Sequence, residues 1–176
     1  MRSGDPGAGA AAVQAAWAAL APLTDPEIPV VSLQEMGILR EVRTTPRGLE
    51  VVITPTYSGC PAMDQIRDDV SRALKQAGLQ ATVTTQLSPA WTTDWIGPDA
   101  REKLRAYGIA PPGERAPEPT TGVLRFVRGA SRPPDVPCPR CGSKQTTEQS
   151  AFGSTACKAL YRCLACQEPF EYFKPI

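Results

Sequence analysis

The chain has 176 residues, 41% apolar and 21% charged, with a net charge of +1. That length allows one ordinary domain plus a small appended module, and the near-neutral balance gives no field to steer the protein toward nucleic acid or an anionic membrane. The absence of histidine removes Ser-His and Cys-His pairs, His-ligated catalytic zinc and the Glu-x-x-His ligands of a di-iron bundle, so the composition argues against a self-sufficient enzyme.

No run reaches the ~18 apolar residues of a membrane helix, and no phosphate loop or dinucleotide fingerprint is present. Arg2 and the alanine-rich stretch Ala8–Ala21 faintly resemble a secretory signal. Asp5, Pro6 and Gln14 interrupt it and no Leu/Val-rich segment follows, so a mature helix over 8–21 is expected, with Val13, Trp17 and Leu20 on one face. Thr24-Asp25-Pro26-Glu27-Ile28-Pro29 reads as a rigid turn, and 30–37 as a short helical turn.

Ile38–Arg43 and Leu49–Thr54 read as strands joined by the hairpin loop Thr45–Gly48. After Cys60 a helix starts at Pro61, with Met63, Ile66, Val70, Leu74 and Ala77 on its apolar face and Gly78 as its stop. A third strand is expected over Leu79–Leu87, and a helix over Asp99–Tyr107 with Asp99 as N-cap. Trp91 and Trp95, four apart, suggest one face of a helical turn; packing is the usual role of such residues. A proline-rich linker over 109–135 holds an expected strand, Thr121–Arg128. Further strands are expected at Lys158–Arg162 and Phe170–Phe173.

Cys138-x-x-Cys141 and Cys163-x-x-Cys166, separated by 21 residues, have the spacing of a closed tetrahedral thiolate site. Two intervening residues let both thiolates of a pair face one ion, and Gly142 suits the tight turn. Structural zinc is the leading reading. The same four thiolates could hold iron or an iron–sulfur cluster, or form two dithiol pairs. In so short a module the metal is expected to stand in for a core. The ribbon's basic residues, Arg140, Lys144, Lys158, Arg162 and Lys174, are partly offset by Glu148, Glu168 and Glu171, which argues against nucleic acid. Paired cysteines of this kind suit a reducing compartment, so the cytoplasm is the expected location.

Cys60 stands at a helix N-terminus, where the dipole and free N–H groups favour a thiolate able to bind a soft metal or cluster. The competing reading is a buried, inert cysteine. Asp25 and Glu27 could supply a carboxylate to a metal or partner, although turn and capping duties are commoner. Cys157 could be a fifth ligand, a redox partner or strand core, and core is the default.

Asp25-Pro26-Glu27-Ile28-Pro29, Met36-Gly37-Ile38 and Thr54-Pro55-Thr56-Tyr57-Ser58-Gly59-Cys60-Pro61-Ala62-Met63 together resemble the α/β domain of metal–sulfur cluster assembly proteins. Phe152-Gly153-Ser154-Thr155-Ala156-Cys157-Lys158-Ala159-Leu160-Tyr161-Arg162-Cys163, joined to that domain, is more selective. The whole is similar to the PaaD (PaaJ) family of the phenylacetyl-CoA epoxidase system. The resemblance implies aerobic phenylacetate catabolism, and help in assembling a partner's iron–sulfur cluster or di-iron centre. It implies Cys60, Asp25 and Glu27 as the metal–sulfur contact, and the epoxidase subunits, above all the iron–sulfur reductase, as partners.

The expected architecture is α+β: helices on a small mixed sheet over 1–108, the linker, and a zinc ribbon over 136–176. The expected function is an accessory maturation protein, not itself an enzyme, with structural zinc and a transient iron–sulfur cluster or iron as cofactors. The alternatives are a stoichiometric subunit bridging reductase and oxygenase, and a redox protein using Cys60 and Cys157. Neither nucleic acid nor membrane is expected as a partner.

Overall fold

The computed structural model describes residues 6–113 and 135–176; the expected strand Thr121–Arg128 lies outside them. Two units are present, one reaching to Tyr107 and including Ile176, the other spanning Gly108–Pro175.

Alanine loses no side-chain entropy in a helix, and the alanine-rich run forms α1, Pro6–Leu20. Of the expected face only Leu20 is fully buried; Val13 and Trp17 are half-buried, and Ala16 between them is completely buried. The small residue is what lets the helix backbone approach the core. Strands β1, Leu39–Thr45, and β2, Gly48–Ile53, pair antiparallel, and Thr45 and Gly48 join the ladder instead of the loop. A two-residue turn, Pro46-Arg47, remains between them.

Helix α2, Ala62–Gln76, carries the chain over to β3, Ala81–Thr85, which pairs parallel with β2. Its buried positions Ala62, Met63, Ile66, Val70 and Leu74 are those of an amphipathic helix. Ala77 falls outside that set: it follows the last helical residue and is exposed. The third strand is shorter than expected because its partner limits it. Ala81–Thr85 matches Leu49–Ile53 residue for residue, and β2 ends at Ile53, whose carbonyl accepts the last bond, from the Gln86 N–H. The sheet order is β1-β2-β3.

Between the elements, Ser32 and Glu35 form a reciprocal capping box. Glu35 Oε2 accepts from the Ser32 N–H at 2.8 Å, and Ser32 Oγ accepts from the Glu35 N–H at 3.1 Å. The two tryptophans do not share a helical face. Trp91 is buried and donates its indole N–H to Met36 O at 2.9 Å, while Trp95 ends a 3-10 turn, Thr93–Trp95, under the Arg40 guanidinium. Helix α3 is Pro98–Tyr107, so Asp99 sits in its first turn and is not its cap.

In the second unit the sheet order is β4-β7-β6-β5, with β4 Ile109–Ala110, β5 Thr146–Ser150, β6 Lys158–Cys163 and β7 Pro169–Phe173. Ile109–Ala110, expected in the linker, pair parallel with Glu171 and Tyr172. The ribbon is not core-free, contrary to expectation. Ala110, Val136, Ala159, Tyr161, Phe170 and Tyr172 pack with Cys138 and Cys163, and Tyr161 sits 5.9 Å from Phe170 and 5.5 Å from Tyr172, centroid to centroid.

Gly37 lies at φ +68°, and an added Cβ would meet Trp95 Cβ at 2.7 Å. Gly78, at φ +72°, has open space around it. Gly37→Ala should therefore cost about 2–4 kcal/mol, against about 1 kcal/mol for Gly78→Ala. Urea unfolding followed by tryptophan fluorescence reads this, since Trp17, Trp91 and Trp95 all belong to the first unit. Equal costs would mean that no clash exists.

Candidate metal centre and the Cys60 loop

The first ribbon knuckle is a tight turn in which the Gly142 N–H donates to Cys138 O at 2.8 Å and Gly142 takes φ +74°. The second begins at Cys163, the last residue of β6, and turns at Gln167, which takes the left-handed φ of 66° without being glycine. Pairing of β5 with β6 sets Thr146 opposite Cys163 and so brings the two knuckles together.

The sulfurs of Cys138, Cys141, Cys163 and Cys166 all lie within 4.8 Å of one another. Cys138 to Cys166 is 3.8 Å and Cys141 to Cys163 is 3.6 Å. A tetrahedron with metal–sulfur bonds of about 2.3 Å has edges of about 3.8 Å, so the donor set fits one tetrahedral thiophilic ion. The Cys166 N–H, donating to Cys163 Sγ at 3.5 Å, holds the Cys163 thiol down to about 6. Cys166 moves the other way, to about 12: the Glu168 backbone favours its thiolate, but desolvation and the neighbouring sulfurs outweigh that. One sulfur ionises readily and the next resists. A cation among them removes the conflict, because it makes every thiolate favourable at once. Four such ligands could hold one ion and would leave no coordination position for substrate.

Cys157 stands outside this cluster. It is buried, its Sγ lies 3.0 Å from Thr155 Oγ1, and its carbonyl accepts from the Lys174 N–H. The next residue, Lys158, is 2% exposed and pairs with Glu171 at 2.9 Å. Glu171 also accepts from the Ser154 N–H at 2.6 Å, and its carboxyl is held below the usual range: burial opposes ionisation, but Lys158 and Ser154 prevail. This pair fastens the loop at 152–157 to the sheet. It also removes Lys158 from the few basic residues that the ribbon could turn to solvent. The sequence signal for it was weak, a lysine in an otherwise inward-facing strand.

In the first unit, Cys60 follows the carboxyl end of β2 and precedes α2, which begins one residue later than expected, after Pro61. Cys60 is half-buried; its N–H donates to Tyr57 O at 3.1 Å and its carbonyl accepts from the Met63 N–H. Asp25 is buried, and its Oδ1 accepts from the Glu27 and Ile28 N–H groups at 2.8 and 2.9 Å. Its carboxylate thus holds the Asp25–Pro29 turn, while Glu27 is exposed. Among the described residues the four ribbon cysteines are the one group of three or more such side chains whose ligand atoms converge. Cys60, Asp25 and Glu27 are not brought together as a ligand set.

Comparison with known proteins places these units in families. Residues 126–174 match the PaaD zinc beta ribbon domain, and residues 13–85 match the iron–sulfur cluster assembly protein family. The chain is 48% identical over 161 residues, 91% of each protein, to an Escherichia coli protein whose name makes it a candidate D component of 1,2-phenylacetyl-CoA epoxidase. A crystal structure of the domain of unknown function DUF59 from Bacillus anthracis is 23% identical, with a TM-score of 0.52. That match covers 57% of this chain and 97% of the other, and it bears on the fold alone.

Elemental analysis of the full chain should find one metal ion per chain, and Cys163→Ser should weaken its retention by about tenfold or more. A strong chelator should strip hydrogen-exchange protection from β6 and β7. Two disulfides and no metal, by thiol titration, would sink the metal reading. Lys158→Met should cost about 1–3 kcal/mol, because it removes the cation that compensates the half-buried Glu171 carboxylate; ribbon unfolding that matches the unsubstituted chain would show that the pair is solvated.

Proposed function

The chain belongs to the PaaD family of phenylacetyl-CoA epoxidase components, and from that membership we propose an accessory protein that helps load a metal centre of the epoxidase. The observation that carries this reading is the placement of Cys60. A half-exposed thiol sits at the strand-to-helix turn of a domain matching the iron–sulfur cluster assembly family. Its thiolate is a soft ligand for iron or for the edge of an iron–sulfur cluster. Delivery is ligand exchange: the thiol gives up its proton as the metal–sulfur bond forms, and takes one back when a client ligand displaces it. No electron need move.

The chain without histidine does not do the oxygen chemistry; it serves chains that hold those ligands. The clients are the iron–sulfur reductase or the di-iron oxygenase of the epoxidase, and the site of action is the cytoplasm. Zinc occupies the ribbon, whose four thiolates close a structural site and brace the fold. Among the described residues no helix is long and apolar enough to cross a membrane. A second reading, a fixed subunit bridging reductase and oxygenase, is favoured by Phe152 and Leu164, which the ribbon leaves 66% and 51% exposed.

The test is iron and acid-labile sulfide in the reductase and the oxygenase, each co-expressed with the chain, without it, or with Cys60→Ser. A fall in either centre without the chain, reproduced by Cys60→Ser, identifies the client. Full loading without the chain, together with turnover that needs the chain added back in fixed ratio, would establish the bridging subunit instead.

A further inference from the structure

Strand β3 lies at an edge of its sheet, and the last ladder bond shows which way its main chain faces. The Gln86 N–H donates to Ile53 O at 2.8 Å. Strand backbones alternate, so Thr82 and Thr84 also turn toward β2, while Ala81, Val83 and Thr85 turn their N–H and C=O groups outward. Among the described residues, none bonds these outward groups.

The two edges of the sheet are built differently. β1 has the features that blunt an edge: a bulge between Leu39 and Glu41, and the exposed charges of Arg40, Glu41 and Arg43. β3 has no charge, no proline and no bulge. Its sequence, Ala-Thr-Val-Thr-Thr, also reads nearly the same in both directions about Val83. An antiparallel second copy would set Val83 against Val83, Thr82 against Thr84 and Ala81 against Thr85. The pairs at 81, 83 and 85 would exchange both N–H···O bonds, and Thr opposite Thr is a stabilising cross-strand pair.

The helix beside this edge supplies a charge complement. Arg67 Nη2 reaches Thr85 Oγ1 at 3.3 Å, so Ala81, Val83 and Thr85 share the α2 side of the sheet. Ser71 and Lys75 of α2 line, with Leu74, Leu79 and Ala81, a cleft of about 460 Å³ along the start of β3. Asp64 and Asp68 continue that stripe at helical spacing, so it is acidic at its amino end and basic at its carboxyl end. A twofold axis through Val83 runs the two helices antiparallel and brings Asp64 of each copy toward Lys75 of the other. Thr85 of the second copy, opposite Ala81, comes to lie beside the cleft.

We propose that β3 is a homodimer interface, on which a second copy of this chain adds antiparallel and joins two three-stranded sheets into one. Self-complementarity of both the strand and the helix stripe is what selects a copy of this chain over an unrelated partner. Because the paired strands run in opposite directions, the Cys60 loops that follow β2 lie at opposite ends of the joined sheet. Each copy keeps its own.

Sedimentation velocity of the metal-loaded full chain over a concentration series should show a reversible dimer of twice 18.8 kDa. Residue-resolved amide exchange should show protection at Ala81, Val83 and Thr85 that grows with concentration, whereas Thr82 and Thr84, bonded within one copy, stay protected throughout. Asp64→Lys or Lys75→Asp, both at exposed positions, should weaken dimerisation about tenfold, because the twofold axis applies each change twice. Combining the two should restore it. A monomer at every concentration overturns the proposal. So does a dimer whose Ala81, Val83 and Thr85 amides exchange freely, or a double variant that dimerises no better than the single ones. Metal loading of the epoxidase does not enter these readouts, so either result leaves the accessory reading standing.

Discussion

Two parallel strands cannot be joined by a tight turn, and the pairing of β2 with β3 is the constraint on which the first unit depends. The chain must leave β2, cross the sheet as α2 and return. That path places the Thr54–Cys60 segment and the start of α2 at one end of the sheet, with the residues after β3 beside them. Cys60 and the outward edge of β3 are products of the same crossover. The antiparallel β1–β2 hairpin closes by a two-residue turn at the opposite end and carries none of these features.

The second unit answers to a different constraint. Four sulfurs within 4.8 Å cannot all ionise in comfort without a cation: a backbone N–H favours the Cys163 thiolate, while desolvation and the neighbouring sulfurs disfavour that of Cys166. Metal is not the sole source of order there. The Tyr161, Phe170 and Tyr172 rings make a small apolar core, and the buried Lys158–Glu171 pair ties the loop at 152–157 to the sheet. Breaking that pair by removing Lys158 is costly because the half-buried Glu171 carboxylate loses its compensating charge. The tied loop presents Phe152 outward, with Lys174 over its ring.

The proposed division of labour rests on the chemistry of the two units. Four thiolates closing on one ion would leave no vacant position, whereas a single half-exposed thiol at a strand-to-helix turn has the chemistry to gain and lose a ligand. Asp25 follows the commoner of its two sequence readings: its carboxylate is engaged by the Glu27 and Ile28 N–H groups and holds the turn, while the metal contact was implied by the family resemblance.

What the sequence by itself determined is what short-range geometry controls. The C-x-x-C knuckles, the apolar face of α2 and the β1–β2 hairpin each depend on residues a few positions apart, so spacing alone was enough to read them. Family resemblance was legible for the same reason, being carried by contiguous runs around Cys60 and Cys157. What only the tertiary structure decided involves partners distant in the chain: the Ile109–Ala110 strand against β7, the Lys158–Glu171 pair and the early end of β3. Each depends on which surfaces meet after the chain has crossed its own sheet. Local propensity carries no information about that.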